Sequence, residues 1–367
     1  MNILQNLKLN KKLLRELDYS VIIVAICIVI FGCMNIYSAI GSHNLKLQIA
    51  WLILGLITVY ALLIFDYMLI ENYAVIIYWA GVVFLILGDM FGTVTNGARS
   101  WINIGAFKVQ PSEFAKLGMI IMLAKKLDEM EGRINEPRNF FQLVFYAAVP
   151  MILTVIQPDM GMTMVSFFIV LGIFYCVGLD SKVIIGGITS VVLIIVGVWN
   201  SPIMPIYWKG RLRSFIHPEQ YELGSGLHLI QSKLAIGSGG MLGRGFGKGV
   251  QFHSVPENHT DFIFAVLAEE WGLIGAVILI LLYGFLIYRL IKIAKESKDV
   301  FGTVLCVGVI SNLLFSIFQN IGMTMGLMPI TGITLQFMSY GGSSLLTSFI
   351  ALGLVLNVGM RRKKINF

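Results

Sequence analysis

The stretch PENHTDFIFAVLAEEWG, residues 256–272, brings four carboxylates, Glu257, Asp261, Glu269 and Glu270, to the mouth of an apolar run. Asp261 is followed directly by apolar residues 262–267 in a segment that reaches Tyr288, so it sits where water meets lipid. A carboxylate held there can accept a proton from a hydroxyl, which makes Asp261 the candidate general base. Glu269 and Glu270 lie about two turns deeper, where a carboxylate is costly unless paired, protonated or turned toward a polar cavity.

Other polar residues gather in segments between apolar runs. In residues 96–118, Pro111, Ser112 and Glu113 read as a helix start, with Glu113 and Lys116 one turn apart on one face. Arg99 and Trp101 precede them, and Asp159 sits in the short turn 157–161. Residues 201–255 carry six basic side chains, Lys209, Arg211, Arg213, Lys233, Arg244 and Lys248, against Glu219 and Glu222. The glycine-dense part GSGGMLGRGFGKG, 237–249, suggests a backbone cradle for phosphate, although no Walker ending follows it. Five histidines show no ligand spacing, and Cys27, Cys33, Cys176 and Cys306 all lie in apolar runs, which excludes a zinc site or disulfide framework built on them.

The elements that position these residues are membrane helices. A chain of 367 residues with 57% hydrophobic and only 13% charged side chains is polytopic, since soluble domains carry about a quarter charged residues. The pattern predicts an all-α fold in one integral membrane domain of about ten spans, near 20–40, 46–65, 72–90, 112–126, 140–157, 160–179, 183–200, 262–288, 300–324 and 338–360. Nothing in the N-terminal segment 1–19 reads as a cleavable signal. That segment, the loops with Lys125 and Arg133 and with Arg289 and Lys295, and the tail 361–367 hold the short-loop positive charge. The positive-inside rule then places both termini in the cytoplasm and the long loop 201–261, between spans seven and eight, outside. The net charge of +7 is thereby absorbed by membrane topology and does not call for nucleic acid. From Val300 to Met360 there is no charged side chain; Asn320, Gln336, Ser339, Tyr340 and Ser344 supply polar groups that can line a cavity.

The strings NGARSWINIG, QPSEFAK, QPDMG, HLIQSKLAIGSGGMLGRGFGKG, PENHTDFIFAVLAEEWGLIG, NIGMTMGLMPITGI and SYGGSSLL resemble, in order and over most of the chain, the SEDS family (shape, elongation, division, sporulation), its rod-shape members above all. The resemblance implies a ten-span peptidoglycan glycosyltransferase. Such an enzyme polymerises lipid II, from a glycan on undecaprenyl pyrophosphate, at the outer membrane face beside a class B penicillin-binding protein, a PBP2-like transpeptidase. It implies that Asp261 is catalytic and that Arg99, Trp101, Glu113, Lys116 and Arg211 serve the substrate; Asp159 and Lys233 lie in strings that match and are assigned to substrate as well. The chain departs from rod-shape members at Thr334 and Gln336, where prolines are usual, and at His217, where aspartate is usual. Thr334 is similar to the division and sporulation members.

The chemistry such an activity needs is a base for the attacking sugar hydroxyl and cations for the departing pyrophosphate: Arg99, Lys116, Arg211, or a divalent ion such as Mg2+ or Mn2+. Two readings of another class stay open, a flippase for the same lipid-linked precursor and a noncatalytic scaffold. Membrane lipid is the expected solvent in each.

Overall fold

The computed structural model describes residues 11–362 apart from 96–97, 106, 200, 202–205 and 222–224. The N-terminal lysine Lys8 and the tail lysines Lys363 and Lys364 lie outside the described residues. Short α1 (Lys11–Glu16) leads into α2 (Tyr19–Ile40) and α3 (Ser42–Ile64); α4 (Tyr67–Asn72) precedes α5 (Ala74–Phe91). Next come β1 (Thr93–Thr95), β2 (Ala98–Ile104) and β3 (Phe107–Val109), then α6 (Pro111–Glu129), α7 (Pro137–Ile156), α8 (Met160–Val177) and α9 (Ser181–Val198). Two helices, α10 (Ile206–Ile216) and α11 (Ser225–Gly239), precede α12 (Ile263–Lys295), α13 (Val300–Met325) and α14 (Gly342–Met360).

Among the described residues nine helices are long and apolar enough to cross a membrane. α6 is the tenth crossing element; Glu113, Lys116, Lys125, Lys126 and Asp128 dilute its hydropathy, yet most of its residues are buried by neighbouring helices. The bundle is graded. Among those nine α14 and α13 are the most enclosed, whereas no residue of α9 is buried. The centre of the bundle is therefore the charge-free segment 300–360, and the lipid-facing spans hold the exposed apolar side chains.

Ion pairs close one end of the bundle. Arg289 donates to Asp18 (Nε to Oδ2, 2.9 Å), Arg361 meets Asp66 at 3.2 Å, and Arg362 pairs with Glu296. The backbone amide of Phe301 donates to Asp128 at 3.0 Å. The acidic turn at Asp66, which lacks basic residues of its own, takes its cation from the far end of the chain. These contacts gather the start of α2 and the end of α14 at the same end, as an even number of crossings requires.

The opposite end departs from the sequence expectation in three ways. The loop after α5 folds into a three-stranded antiparallel sheet in the order β1-β2-β3. The long loop contains α10 and α11, plus single 3-10 turns at Pro218–Tyr221 and Gln251–Ser254. The last span starts at Gly342 rather than 338, because residues 326–341 run as irregular backbone inside the bundle.

α12 also kinks. Gly272 has φ 63° and ψ −161°, and the glycine-rich turn crosses the helix there. Gly243, at φ 77°, approaches so closely that an added Cβ would stand 2.1 Å from the Glu270 carbonyl oxygen. Gly243→Ala is expected to lower the thermal unfolding midpoint of detergent-purified protein, losing roughly 1–3 kcal/mol from backbone strain alone. Gly237→Ala, on α11 with open space around it, should leave the midpoint near wild type.

Candidate active site

A cavity of about 470 Å³ opens at this irregular end of the bundle. The sheet contributes Trp101 and Lys108, the first turns of α6 contribute Glu113 and Lys116, and the turn before α8 contributes Asp159. α10 contributes Arg211, the segment before α12 contributes Glu257 and Asp261, and residues 331–342 close the remaining wall.

Asp261 is held by its backbone. Its carbonyl accepts from Asn320 Nδ2 at 2.8 Å, and the same amide nitrogen donates to the Ile333 carbonyl at 2.8 Å. Ser339 Oγ donates to the Thr260 carbonyl at 2.6 Å and accepts from the Leu335 amide at 2.9 Å. Tyr340 N donates to the His259 carbonyl at 2.9 Å. The 257–261 turn and the irregular 331–341 segment are thus stitched into one wall. The two departures from the family pattern take part: Thr334 Oγ1 shares a 2.9 Å hydrogen bond with Ser344 Oγ, and Gln336 Oε1 accepts from Ser348. Side-chain bonds do there what prolines would do by restricting the backbone.

Asp261 and Arg211 meet over Gly332, where an added Cβ would lie 3.4 Å from Asp261 Oδ2 and 3.8 Å from Arg211 Nη2. Burial pushes the Asp261 carboxyl up to about 7; Glu257 and Asp159 add to the rise, and Arg211 opposes it. Burial lowers Arg211, and the two aspartates Asp261 and Asp159 counter that. Asp159 is raised by burial despite bonds from Met162 N at 3.0 Å and Gln110 Nε2 at 3.2 Å. It caps α8 and faces the cavity at once. Glu113 and Lys116 form a 2.7 Å pair, and Thr347 donates to Glu113 Oε2 at 2.8 Å. Their side chains are 5% and 3% exposed, so neither charge is satisfied by bulk water.

Of the side chains assigned from sequence, Trp101, Glu113, Lys116, Asp159, Arg211 and Asp261 come together in this cavity. Lys233 does not; it is exposed on α11 beside Gly326 and lines a separate shallow pocket with Leu234, Gly237, Ser238 and Gln251. Arg99 is in β2, and its side chain lies outside the described residues. Lys108 and Gln110 were not anticipated. β3 brings Lys108 to the cavity, and strands of three residues leave no legible alternation in the sequence. Among the described residues no three His, Cys, Asp or Glu side chains gather as a metal site.

The glycine-rich stretch is not a free phosphate cradle. Glu269, wholly buried, accepts from the amides of Val250 at 2.7 Å, Gln251 at 2.8 Å and Phe252 at 2.7 Å, with Arg244 Nε 3.6 Å away. Glu270 accepts from the Gly247 amide at 3.0 Å and from Ser38. The anions in this cradle belong to the protein itself, which also explains how two acids survive at that depth.

The comparisons agree with this geometry. Residues 17–364 match the FtsW/RodA/SpoVE family model, described as cell cycle protein. The peptidoglycan glycosyltransferase MrdB of Escherichia coli (strain K12) is 33% identical over 96% of this chain and 95% of its own length. Stage V sporulation protein E of Bacillus subtilis (strain 168) is 37% identical over 93% and 96%. The crystal structure of the rod shape determining protein RodA of Thermus thermophilus superposes with a TM-score of 0.73 at 30% identity, covering 95% of this chain and 98% of that one. A chain from a structure on coordination of polymerization and crosslinking by a peptidoglycan synthase complex gives 0.83 at 32% identity, covering 94% and 98%. A match this long, with the acid, the cations and the irregular wall in one cavity, places the chain in the FtsW/RodA/SpoVE (SEDS) family of multi-pass membrane proteins.

Proposed function

We propose that this chain polymerises lipid II into glycan strands at the outer face of the cytoplasmic membrane, with Asp261 as general base. The chain is a peptidoglycan glycosyltransferase, and its task is cell elongation and rod shape. The observation that carries the assignment of Asp261 is its carboxyl, held near neutrality in a polar cavity and facing Arg211 across Gly332. A base works best when its pKa lies near the working pH.

In the reaction a sugar hydroxyl of lipid II attacks the anomeric carbon of the lipid-linked glycan. The new carbon–oxygen bond forms as the bond to the pyrophosphate breaks; Asp261 takes the hydroxyl proton, and the pyrophosphate leaves with the bonding electrons. Arg211, Lys116 and Lys108 line the same cavity and stabilise that gathering charge. Glu113 holds Lys116, Asp159 sets the charge balance around Arg211, and Trp101 offers a flat face to a sugar ring. Lys233, apart from the cavity, is assigned to the path of the chain or headgroup outside it. A divalent cation would enter on the pyrophosphate with at most one or two carboxylate contacts, the usual habit of Mg2+. No step depends on it.

In this reading the basic ends lie in the cytoplasm and the cavity faces outward; the clustering of Arg289, Arg361 and Arg362 at the far end of the bundle supports it through the positive-inside rule. A class B penicillin-binding protein partners the enzyme on the outer side, next to the sheet and to the long loop, whose α10 brings Arg211 to the cavity.

Asp261→Asn is expected to cut polymerisation of labelled lipid II by roughly 10²–10⁴-fold while membrane insertion is retained. The base acts unprotonated, so the wild-type rate should be flat above about 7 and fall about tenfold per pH unit below it. An Asp261→Asn rate within a few-fold of wild type, or a wild-type profile without an acidic limb, would remove Asp261 from the role. A transpeptidase-dead cognate partner should raise turnover without changing insertion; equal initial rates with and without it would leave the partner a neighbour rather than an activator.

A further inference from the structure

We propose that Glu269 is a positioning residue for Asp261, acting through the backbone of the turn that carries it. The inference rests on the function proposed above and adds to it a residue outside the cavity.

The geometry is a closed ring. Asp261 lies two residues before α12, and Glu269 lies about two turns inside it. The Glu269 carboxylate reaches back to the start of the same loop and accepts from Val250, Gln251 and Phe252 amides at 2.7–2.8 Å. From Phe252 the bonding runs forward: its carbonyl accepts from Val255 N at 3.0 Å and from Asn258 Nδ2 at 3.0 Å. The Glu257 carbonyl then accepts from Phe262 N at 3.1 Å, which closes the turn around Asp261. Phe252 is itself 1% exposed, so the anchor is packed as well as bonded. Among the described residues these three amides share the Glu269 carboxylate as acceptor; the Phe252 amide is buried, so without the carboxylate that donor is left unpaired away from water, and an unpaired buried donor is destabilising. The loop would relax to find partners, and a displacement of ~1 Å at a catalytic group can cost about a hundredfold in rate.

The test uses the full chain in lipid vesicles, with Glu269→Gln as the shape-preserving variant and Glu269→Ala as the deletion. Both are expected to lose about 10- to 100-fold in kcat with KM for lipid II within about threefold of wild type. The midpoint of the acidic limb should fall below wild type, because the opened turn lets water reach an Asp261 that otherwise faces Glu257, Arg211 and Asp159. Sodium formate, small enough to replace the carboxylate on the three amides, should restore part of kcat to Glu269→Ala and none to Asp261→Asn. Unchanged kcat in both variants overturns the proposal. So does a loss that follows the thermal unfolding midpoint with the acidic limb unmoved, since that marks a structural role only. If Glu269→Ala does not fold, Glu269→Gln carries the same readouts. A wild type that makes no polymer sinks the function itself; an active wild type with unaffected variants sinks only the positioning role.

Discussion

Irregular backbone inside a membrane bundle must find its hydrogen-bond partners within the protein, and that constraint shapes the outer end of this molecule. Two stretches carry the burden. Residues 326–341 pair with themselves only in part, around Leu335, so side chains from other helices serve the rest: Asn320 on the Ile333 carbonyl, Gln319 on the Pro329 carbonyl at 2.8 Å, Gln48 on the Ser339 carbonyl at 3.1 Å, and Tyr283 on the Gln336 carbonyl at 2.5 Å. The turn 247–252 is served by Glu269 and Glu270. Polar side chains within apolar helices are thus the means by which the protein keeps nonhelical backbone at a depth where lipid offers no partners.

The same constraint explains the charges. A buried cation is stable only with a partner and further hydrogen bonds, and removing one member of such a pair typically costs about 3–5 kcal/mol. Lys116 has Glu113, and Glu113 has Thr347. Arg211 sits between Asp159 and Asp261. The cavity is therefore close to electrically balanced before substrate enters, with cations that can turn toward a pyrophosphate while their carboxylates remain to be offset. Proton uptake by Asp261 as the hydroxyl attacks supplies part of that offset at the moment the leaving group becomes more negative.

Much of this was readable from the sequence because membrane helices announce themselves by length and composition. Asp261, Glu113 and Lys116 stand out as charges at the edges of long apolar runs, Arg211 is singled out from the basic long loop by the family resemblance, and the uncharged segment 300–360 reads as a core. The sheet was not legible: β1 and β3 are three residues long, and strands that short show no dependable period. The glycine-rich stretch was legible as an anion cradle but not in its occupant. A run of glycines shows that amides can approach an anion; only the fold shows that the anion on Gly247 is Glu270, with Glu269 beside it on the amides of 250–252, both carried by a different element. The start of the last span was placed too early for a similar reason, since Phe337 and Met338 are as apolar as helix residues, and the nonhelical backbone of Gly341, φ 167° and ψ 106°, holds the helix start at Gly342.

The two ends of the bundle divide the labour of folding and catalysis. At the basic end, Asp18 with Arg289 and Asp66 with Arg361 join helices far apart in sequence, and the stacked pair Tyr67 and Phe301 packs beside them. These contacts fix the helix ends without any irregular backbone. The other end can then carry turns, a small sheet and a kinked helix without loss of register between spans. Gly272 is the hinge of that arrangement: it bends α12 so that its first two turns face the cavity loop while the rest packs as an ordinary membrane helix. A straight helix through Gly272 would leave no room for the Gly243 turn, the amides of 250–252 would lose their carboxylate, and Asp261 would be aimed by chain flexibility alone.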